Sequence, residues 1–457
     1  MAQRKRRGAP NRRCTRFRVG RVSVYFHHAA WWLYYREGSR PVRRRVSLFR
    51  EEAERLAAEI NAEVTTRAPT TFAFLPVSVT ELQAKFLTHH EEVLRSSVAT
   101  IQRYRTATQH LLDFGGSAPA HEVSTTEFVT FLRSRKVSPN GHVNSVKRHL
   151  RDKGVQFVLE TCRAMFAFAQ RQRHLPPYAS NPFADLRLDR MRIEDAKSVF
   201  VFDATSELQF LKAAYEWEFP IQFTLAKTGL RPGELCHLLI EELDLEGGWL
   251  HVRNKPELGW SIKTRNERSV PLVEELQLTL RSVVGSRTAG VVFQRPKFQG
   301  KPEALGHADR KTLAQELIRR CQHAVETGGV ELSREGRLRL ARQLWRDAGA
   351  LDPDLIRRSF LRIAHRCGLI SATCPKSWRH TFATLLQDAN VDPLLRQITL
   401  GHQPAGAGGA LGMTGVYTHS RPETHAREIR RALALWPAAL ALARQRSSSD
   451  ALTCCSR

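Results

Sequence analysis

Two interruptions constrain the fold more than any other feature of this sequence. Thr65 to Val77 (TTRAPTTFAFLPV) is rich in Thr and Pro and nearly uncharged, and it reads as a linker. Leu186 to Ala196, after Asn181-Pro182, is a polar and charged connection. They divide 457 residues into three modules, at a length where single cores give way to several domains. The expected boundaries are 1–67, 78–183 and 197–445, with a disordered tail over 446–457.

The charge is unevenly shared among these modules. The chain carries 71 Lys+Arg against 45 Asp+Glu, a formal net charge of +26. Residues 1–67 alone hold 17 Lys+Arg and 6 Asp+Glu, over two-fifths of the excess in under a sixth of the length. Such a concentration marks a dedicated cationic module and points to a polyanionic partner, nucleic acid before an anionic membrane. No apolar run approaches the roughly 18 residues that span a bilayer. The basic N-terminus is not followed by an apolar stretch, so it does not read as a secretory signal, and a cytoplasmic, DNA-associated protein is expected. The eight Cys include no C-x-x-C pair or zinc-ligand spacing and are read as reduced thiols.

Periodicity gives each module a shape. Arg21 to Phe26 alternates, Trp31 to Tyr35 has β propensity, and Val42 to Leu48 forms a third strand bearing Arg43, Arg44 and Arg45. Glu51 to Val64 then reads as a helix with Ala53, Leu56, Ala57 and Ile60 on one stripe. A three-stranded sheet plus a helix is expected, and a sheet this small can lie in a DNA groove. Residues 78–183 look all-helical, with Ser124 to Glu127 forming a capping box. The exposed positions there include Arg103, Arg105, Lys147 and Arg148, which suit phosphate contacts. The third module is mixed α/β.

That third module carries ordered signals. Thr228 to Leu235 (TGLRPGEL) joins two apolar helix patterns, and Glu234 follows Arg231 by one turn. Lys263 lies between Trp249–Val252 and Ser269–Leu272, which read as a β-hairpin. Lys376 and Arg379 open a helix in PKSWRHTFAT, His402 ends LGH, and Tyr417 sits in VYTH. A lone member of this series means little, since Arg–Glu at i, i+3 is a common surface pair and a hairpin Lys is usually a solvated charge.

As an ordered set in a very basic chain, these motifs resemble the tyrosine recombinase (phage integrase) family over about residues 78–440. The resemblance implies a helical, SAM-like core-binding domain followed by a mixed α/β catalytic domain, and it likens residues 1–67 to an arm-type DNA-binding module. It makes Arg231 and Arg379 the two catalytic arginines, Glu234 the acidic support of the first, Lys263 the hairpin lysine, His402 the third-box histidine and Tyr417 the nucleophile. Lys376 stands where the family most often carries His, Lys being a known variant. Departures from the pattern are the Gly-rich stretch 403–412, extra residues around Pro256 to Trp260, and a charged helical insertion at about 297–360.

The chemistry explains why these residue types are wanted. A phosphodiester needs a nucleophile, neutralised non-bridging oxygens and a proton for the departing 5′ oxygen. Tyr417 supplies the first, Arg231, Arg379 and His402 the second, and Lys263 the third, with Lys376 accepting the phenol proton or adding charge. A 3′-phosphotyrosine conserves bond energy, so no cofactor, ATP or metal is expected, and no P-loop sequence is present. The expected assembly is a homo-tetramer on double-stranded DNA, with DNA-bending accessory proteins as candidate partners. The alternatives are type IB topoisomerase-like relaxation and a catalytically inactive DNA-binding protein.

Overall fold

The computed structural model describes residues 16–37, 40–65, 75–138, 144–176, 179–194, 198–298, 304–402 and 421–454. It comprises two compact units, Met1–Ala196 and Lys197–Arg457. The first unit begins with an antiparallel sheet of β1 (Arg16–Val19), β2 (Val22–His27), β3 (Ala30–Glu37) and β4 (Arg40–Ser47), in sequence order. Helix α1 (Arg50–Thr65) covers one face, where Val22, Val24, Leu33 and Tyr35 meet Ala53, Ala57 and Ile60. The expected sheet had three strands. The added one, β1, is four residues long and half arginine, too short for its alternation to stand out, and it turns into β2 at Gly20 with φ +57°.

The pleat sorts the arginines. Cross-strand rows run Arg16–Tyr25–Trp32–Arg45 and Arg18–Ser23–Tyr34–Arg43. Arg44 pairs instead with Leu33, whose side chain is in the core under α1. Thus Arg43 and Arg45 share the uncovered face with Trp32 and Tyr34, and Arg44 does not.

Residues 75–194 form a helical module of α2 (Val79–Thr88), α3 (Val98–Gly115), α4 (Thr125–Ser134) and α5 (Asp152–Arg171). Its core is built on Phe86, Leu111, Phe128, Met165 and Phe166. Ser124 accepts the Glu127 N–H at 3.4 Å and caps α4. The module is not wholly helical, because β5 (Lys136–Val137) and β6 (Arg148–His149) pair across two residues. Arg103, Arg105, Lys147 and Arg148 are all exposed, and the Arg103 guanidinium lies over the Phe157 ring at 4.4 Å.

The second unit contains α6 (Ala204–Lys212), α7 (Phe219–Thr228), α8 (Pro232–Cys236), a three-stranded antiparallel sheet of β7 (Leu243–Asp244), β8 (Trp249–Val252) and β9 (Arg268–Pro271), and α9 (Glu274–Val284). It continues with α10 (Arg310–Gly328), α11 (Arg334–Asp347), α12 (Pro353–Arg366), α13 (Lys376–Asp388), α14 (Pro393–Leu400), α15 (Pro422–Leu433) and α16 (Pro437–Cys454). Trp378 anchors the core: it stacks on Phe202 at 3.9 Å and 9°, and its indole N–H donates to Gln222 Oε1 at 3.0 Å.

Two expectations change here. The tail from residue 446 is helical as far as Cys454, because α16 docks on its own unit. Arg444 reaches Glu275 at 2.9 Å, and Arg446 donates to the carbonyls of Lys212 and Ala214 at 3.2 and 3.0 Å. The insertion is also shorter than 297–360. Helix α12 contributes Ile356, Phe360 and Ile363 to the main core, whereas α10 and α11 build a separate small core together with Leu239, Leu258 and Val291.

Two histidines of this unit are buried without charge. His237 lies between Trp260 and Trp345 with Nδ1 2.7 Å from the Gly233 carbonyl, and His425 Nε2 is 2.6 Å from Thr399 Oγ1. Burial lowers both pKa values from 6.5 to about 4. The unfolded chain therefore takes up these protons at a higher pH than the folded chain does. Stability is expected to be full above about 6.5 and to fall as the pH drops towards 4. Melting temperatures across that window check it: a His237→Gln/His425→Gln variant should show a flatter profile than the parent.

Candidate active site

The TGLRPGEL motif is a helix stop followed at once by a helix start. Gly229 caps α7 with φ +62°, and a Cβ there would lie 2.5 Å from the Phe382 ring. Arg231 is the N-cap of α8, Pro232 its first residue and Glu234 its third. The Glu234 carboxylate accepts from the Arg231 backbone N–H at 2.9 Å and from Arg231 Nη1 at 2.7 Å. Capping thus fixes a carboxylate directly beside the arginine it supports.

Glu234 has a second partner, which sequence reasoning left without a role. Arg268, at the start of β9 and buried, places Nη2 2.6 Å and Nη1 3.2 Å from the two Glu234 oxygens. Its Nε donates to the Thr399 carbonyl at 2.9 Å. Burial alone would raise the Glu234 pKa, but the hydrogen bonds and charges of Arg268 and Arg231 bring it below the ordinary value. The available signal for Arg268 was its place in KTRNERSVPL, where an inward position on a strand carries a cation.

The second arginine arrives from α13. Trp378, Thr381, Phe382 and Leu385 face the core, and Arg379 projects beside them, half-buried. Its Nη1 donates to the Gly229 carbonyl at 2.8 Å and its Nη2 to the Leu400 carbonyl, with His402 Nε2 3.1 Å away. No carboxylate lies within 4 Å of this guanidinium among the described residues. Burial, and then the nearby Arg231, lower its pKa to about 10, so it remains charged at neutral pH.

The LGH motif completes the group. Gly401 caps α14 with φ +65°, and a Cβ would come within 2.9 Å of the Arg268 side chain. His402 follows directly. Partial burial and the charges of Arg379, Arg231 and Arg268 lower its pKa, which keeps the imidazole neutral at pH 7.

Arg231, Glu234, Arg379 and His402 therefore converge, with Arg268 beneath them. Lys263 is exposed on the turn Ile262–Arg265, and the neighbouring Thr264 hydroxyl donates to the Gly401 carbonyl at 3.2 Å, which brings that turn to the same edge. Lys376 is exposed in the first turn of α13, one turn before Arg379. Tyr417, together with stretch 403–412, His419 and the VYTH motif, lies outside the described residues. His380 is exposed. Arg43, Arg44, Arg45, Arg103, Arg105, Lys147 and Arg148 belong to the first unit.

Residues 213–424 match the model of the phage integrase family. No curated protein is significantly similar to the chain. Among solved structures, the Tn1549 transposon integrase in complex with transposon right end DNA shares 19% identity over 78% of this chain and 99% of its own, at a TM-score of 0.50. A lambda integrase tetramer bound to a Holliday junction shares 16% identity over 83% of this chain and 95% of its own, at a TM-score of 0.47. At these identities the likeness concerns the fold.

The shared carboxylate makes the site sensitive to one substitution. Glu234→Ala leaves the buried Arg268 charge unpaired, which is expected to cost about 3–5 kcal/mol. Urea denaturation of the variant against the parent measures it, and a loss below about 1 kcal/mol would contradict the pairing.

Proposed function

We infer that this chain, whose residues 213–424 belong to the phage integrase family, is a tyrosine-type site-specific DNA recombinase that cuts and rejoins strands through Tyr417. The observation that carries the reading is the uncompensated charge of the site. Of the three guanidiniums, those of Arg231 and Arg268 share the Glu234 carboxylate and that of Arg379 has none within 4 Å among the described residues, so the pocket is electrostatically incomplete until an anion enters. Arg268 is used up by Glu234, while Arg231 and Arg379 keep N–H groups for a ligand.

In this reading Arg231 and Arg379 grip the non-bridging oxygens of the scissile phosphate, and neutral His402 adds a hydrogen bond through its protonated ring nitrogen. The Tyr417 oxygen attacks phosphorus, a bond to the 3′-phosphate forms, and the bond to the 5′ oxygen breaks. Lys263 gives that oxygen its proton. Lys376 takes the phenol proton or adds positive charge. Religation runs the same steps backwards with a 5′ hydroxyl from the partner duplex. Each charge stabiliser acts in a preorganised site, where one donor is commonly worth on the order of 10²–10³ in rate.

The DNA-binding residues divide in the same spirit. The uncovered face of the N-terminal sheet, with Arg16, Arg18, Arg43 and Arg45 flanking Tyr25, Trp32 and Tyr34, suits a DNA groove. Arg105, Lys147 and Arg148 suit backbone contacts. A homo-tetramer on two duplexes, within a mobile element, is the assembly we propose. No helix of the described residues is long and apolar enough to cross a membrane.

Covalent capture tests this. A pool of nicked duplexes with random inserts is incubated with the chain, and SDS-resistant adducts are recovered and sequenced. Enrichment of a defined sequence by the parent, and loss of all adduct in Tyr417→Phe, is expected. An adduct that survives Tyr417→Phe removes the nucleophile assignment. Relaxation of any supercoiled plasmid without sequence preference would favour the topoisomerase alternative, and no adduct at all the binding-only one. For the sheet, Arg43→Ala and Arg45→Ala should weaken duplex binding and flatten its salt dependence, whereas Arg44→Ala should leave the salt slope in place. Deleting residues 1–67 should leave cleavage of the selected site intact and weaken binding to a second site.

A further inference from the structure

The extra residues around Pro256 to Trp260 and the inserted helices both depart from the family pattern, and the structure joins them. Leu258 belongs to the same small core as Leu313, Leu317, Ala341, Leu344 and Trp345, and the Trp345 indole donates to the Leu258 carbonyl at 3.1 Å. Gly259 sits so close to α11 that a Cβ would lie 2.6 Å from that of Ala341. The lengthened hairpin and the inserted helix pair are therefore one packed body beside the sheet that leads to Lys263.

The link to Lys263 runs through Asn254. Lys263 is the second residue of a four-residue turn closed by the Arg265 N–H to the Ile262 carbonyl at 2.8 Å. The Asn254 side chain holds both ends of that turn. Its Oδ1 accepts from the Ile262 N–H at 2.9 Å, and its Nδ2 donates to the Arg265 carbonyl at 2.9 Å. Arg265 has φ +58°, a conformation that a non-glycine residue adopts at a cost and keeps where its surroundings over-determine it. The Asn254 backbone is clamped in turn. Its N–H donates to Glu267 Oε1 at 2.8 Å, and its carbonyl accepts from Arg310 Nη2 at 2.9 Å. Arg310 is the first residue of α10, and its Nε is 2.5 Å from Glu257 Oε1.

We propose that Asn254 is a positioning residue for Lys263, and that the inserted helices hold it in place through Arg310. The proposal rests on the reading of Lys263 as the proton donor to the 5′ oxygen. A flexible four-carbon ammonium reaches a leaving group often only if its backbone is fixed, and Asn254 fixes the two residues that bracket it. The insertion then has a catalytic purpose: it supports the acid, while Glu234 and Arg268 support the phosphate cradle.

The leaving group provides the test. An alkoxide must be protonated as it departs, whereas a thiolate, whose conjugate acid has a pKa near 8.5, need not be. Single-turnover cleavage is measured on a duplex selected by covalent capture, made with either the ordinary 5′ oxygen or a 5′-bridging sulfur at the scissile phosphate. Lys263→Ala should lose on the order of 10²-fold on the oxygen duplex and recover on the sulfur duplex. Asn254→Ala and Arg310→Ala should lose about tenfold on oxygen and come within about twofold of the parent on sulfur, with duplex affinity unchanged. Asn254→Asp keeps the acceptor for Ile262 and should lie between Asn254→Ala and the parent. If Lys263→Ala recovers but the Asn254 and Arg310 variants are slowed equally on both duplexes, or not slowed at all, the positioning role is overturned. If Lys263→Ala itself fails to recover, the proton-donor reading falls, and the inference with it.

Discussion

The candidate site depends on one buried carboxylate. Glu234 receives the Arg231 backbone, the Arg231 side chain and both terminal nitrogens of Arg268. Take it away and two cations from different elements repel each other in a half-desolvated pocket. With it present, α8 is capped, β9 is tied to α8, and through Arg268 Nε the end of α14 is tied to both. A helix cap, a strand start and a helix stop are thereby brought together by polar contacts in addition to the apolar packing of Leu230, Leu235 and Leu400. Two glycines make that approach feasible, since side chains at Gly229 and Gly401 would run into Phe382 and Arg268. The single negative charge falls short of the positive charge around it, and this shortfall leaves the pocket suited to an anion.

Arg379 illustrates how the shortfall is kept. An arginine so placed would ordinarily find a carboxylate. Here it is held by two backbone carbonyls, from Gly229 and Leu400, which satisfy N–H groups without cancelling charge. Neutral dipoles orient it, and burial next to Arg231 lowers its pKa only to about 10. His402 is affected in the opposite functional sense. The same cluster of cations, added to partial burial, discourages protonation, so at neutral pH the imidazole has one N–H to offer and one lone pair near Arg379.

Local signals in the sequence are strong enough to locate these groups because each motif is also a stop or start signal. TGLRPGEL and LGH end helices on left-handed glycines, and the α13 start is fixed by Trp378 facing inward. What escapes sequence reading is long-range or too short. Strand β1 has only four residues, and β5 and β6 have two each. Arg268 reads like another hairpin cation because its partner Glu234 is 34 residues away. The sorting of Arg43 and Arg45 from Arg44 needs the strand register, with its irregularity between Trp31 and Trp32, and three consecutive arginines do not announce that. The tail is polar enough to read as disordered, but Arg446 gains backbone carbonyl partners that lie more than 230 residues earlier in the chain.

The insertion is the sharpest case of non-local meaning. As sequence, α10 and α11 are a charged helical stretch with no motif. Charged helix pairs often face solvent on most sides, and composition gives no reason to connect this one to a lysine far earlier in the chain. The connection lies in a few apolar contacts, at Leu258, Ala341 and Trp345, and in one arginine at the start of α10. Those contacts turn the lengthened hairpin from a loose tip into a bracket with Asn254 at its centre. A longer hairpin around Lys263 loses the stiffness of a short turn. Packing the added residues against an added helix pair restores it, so the two departures from the family pattern are better understood as one compensated change than as two independent embellishments.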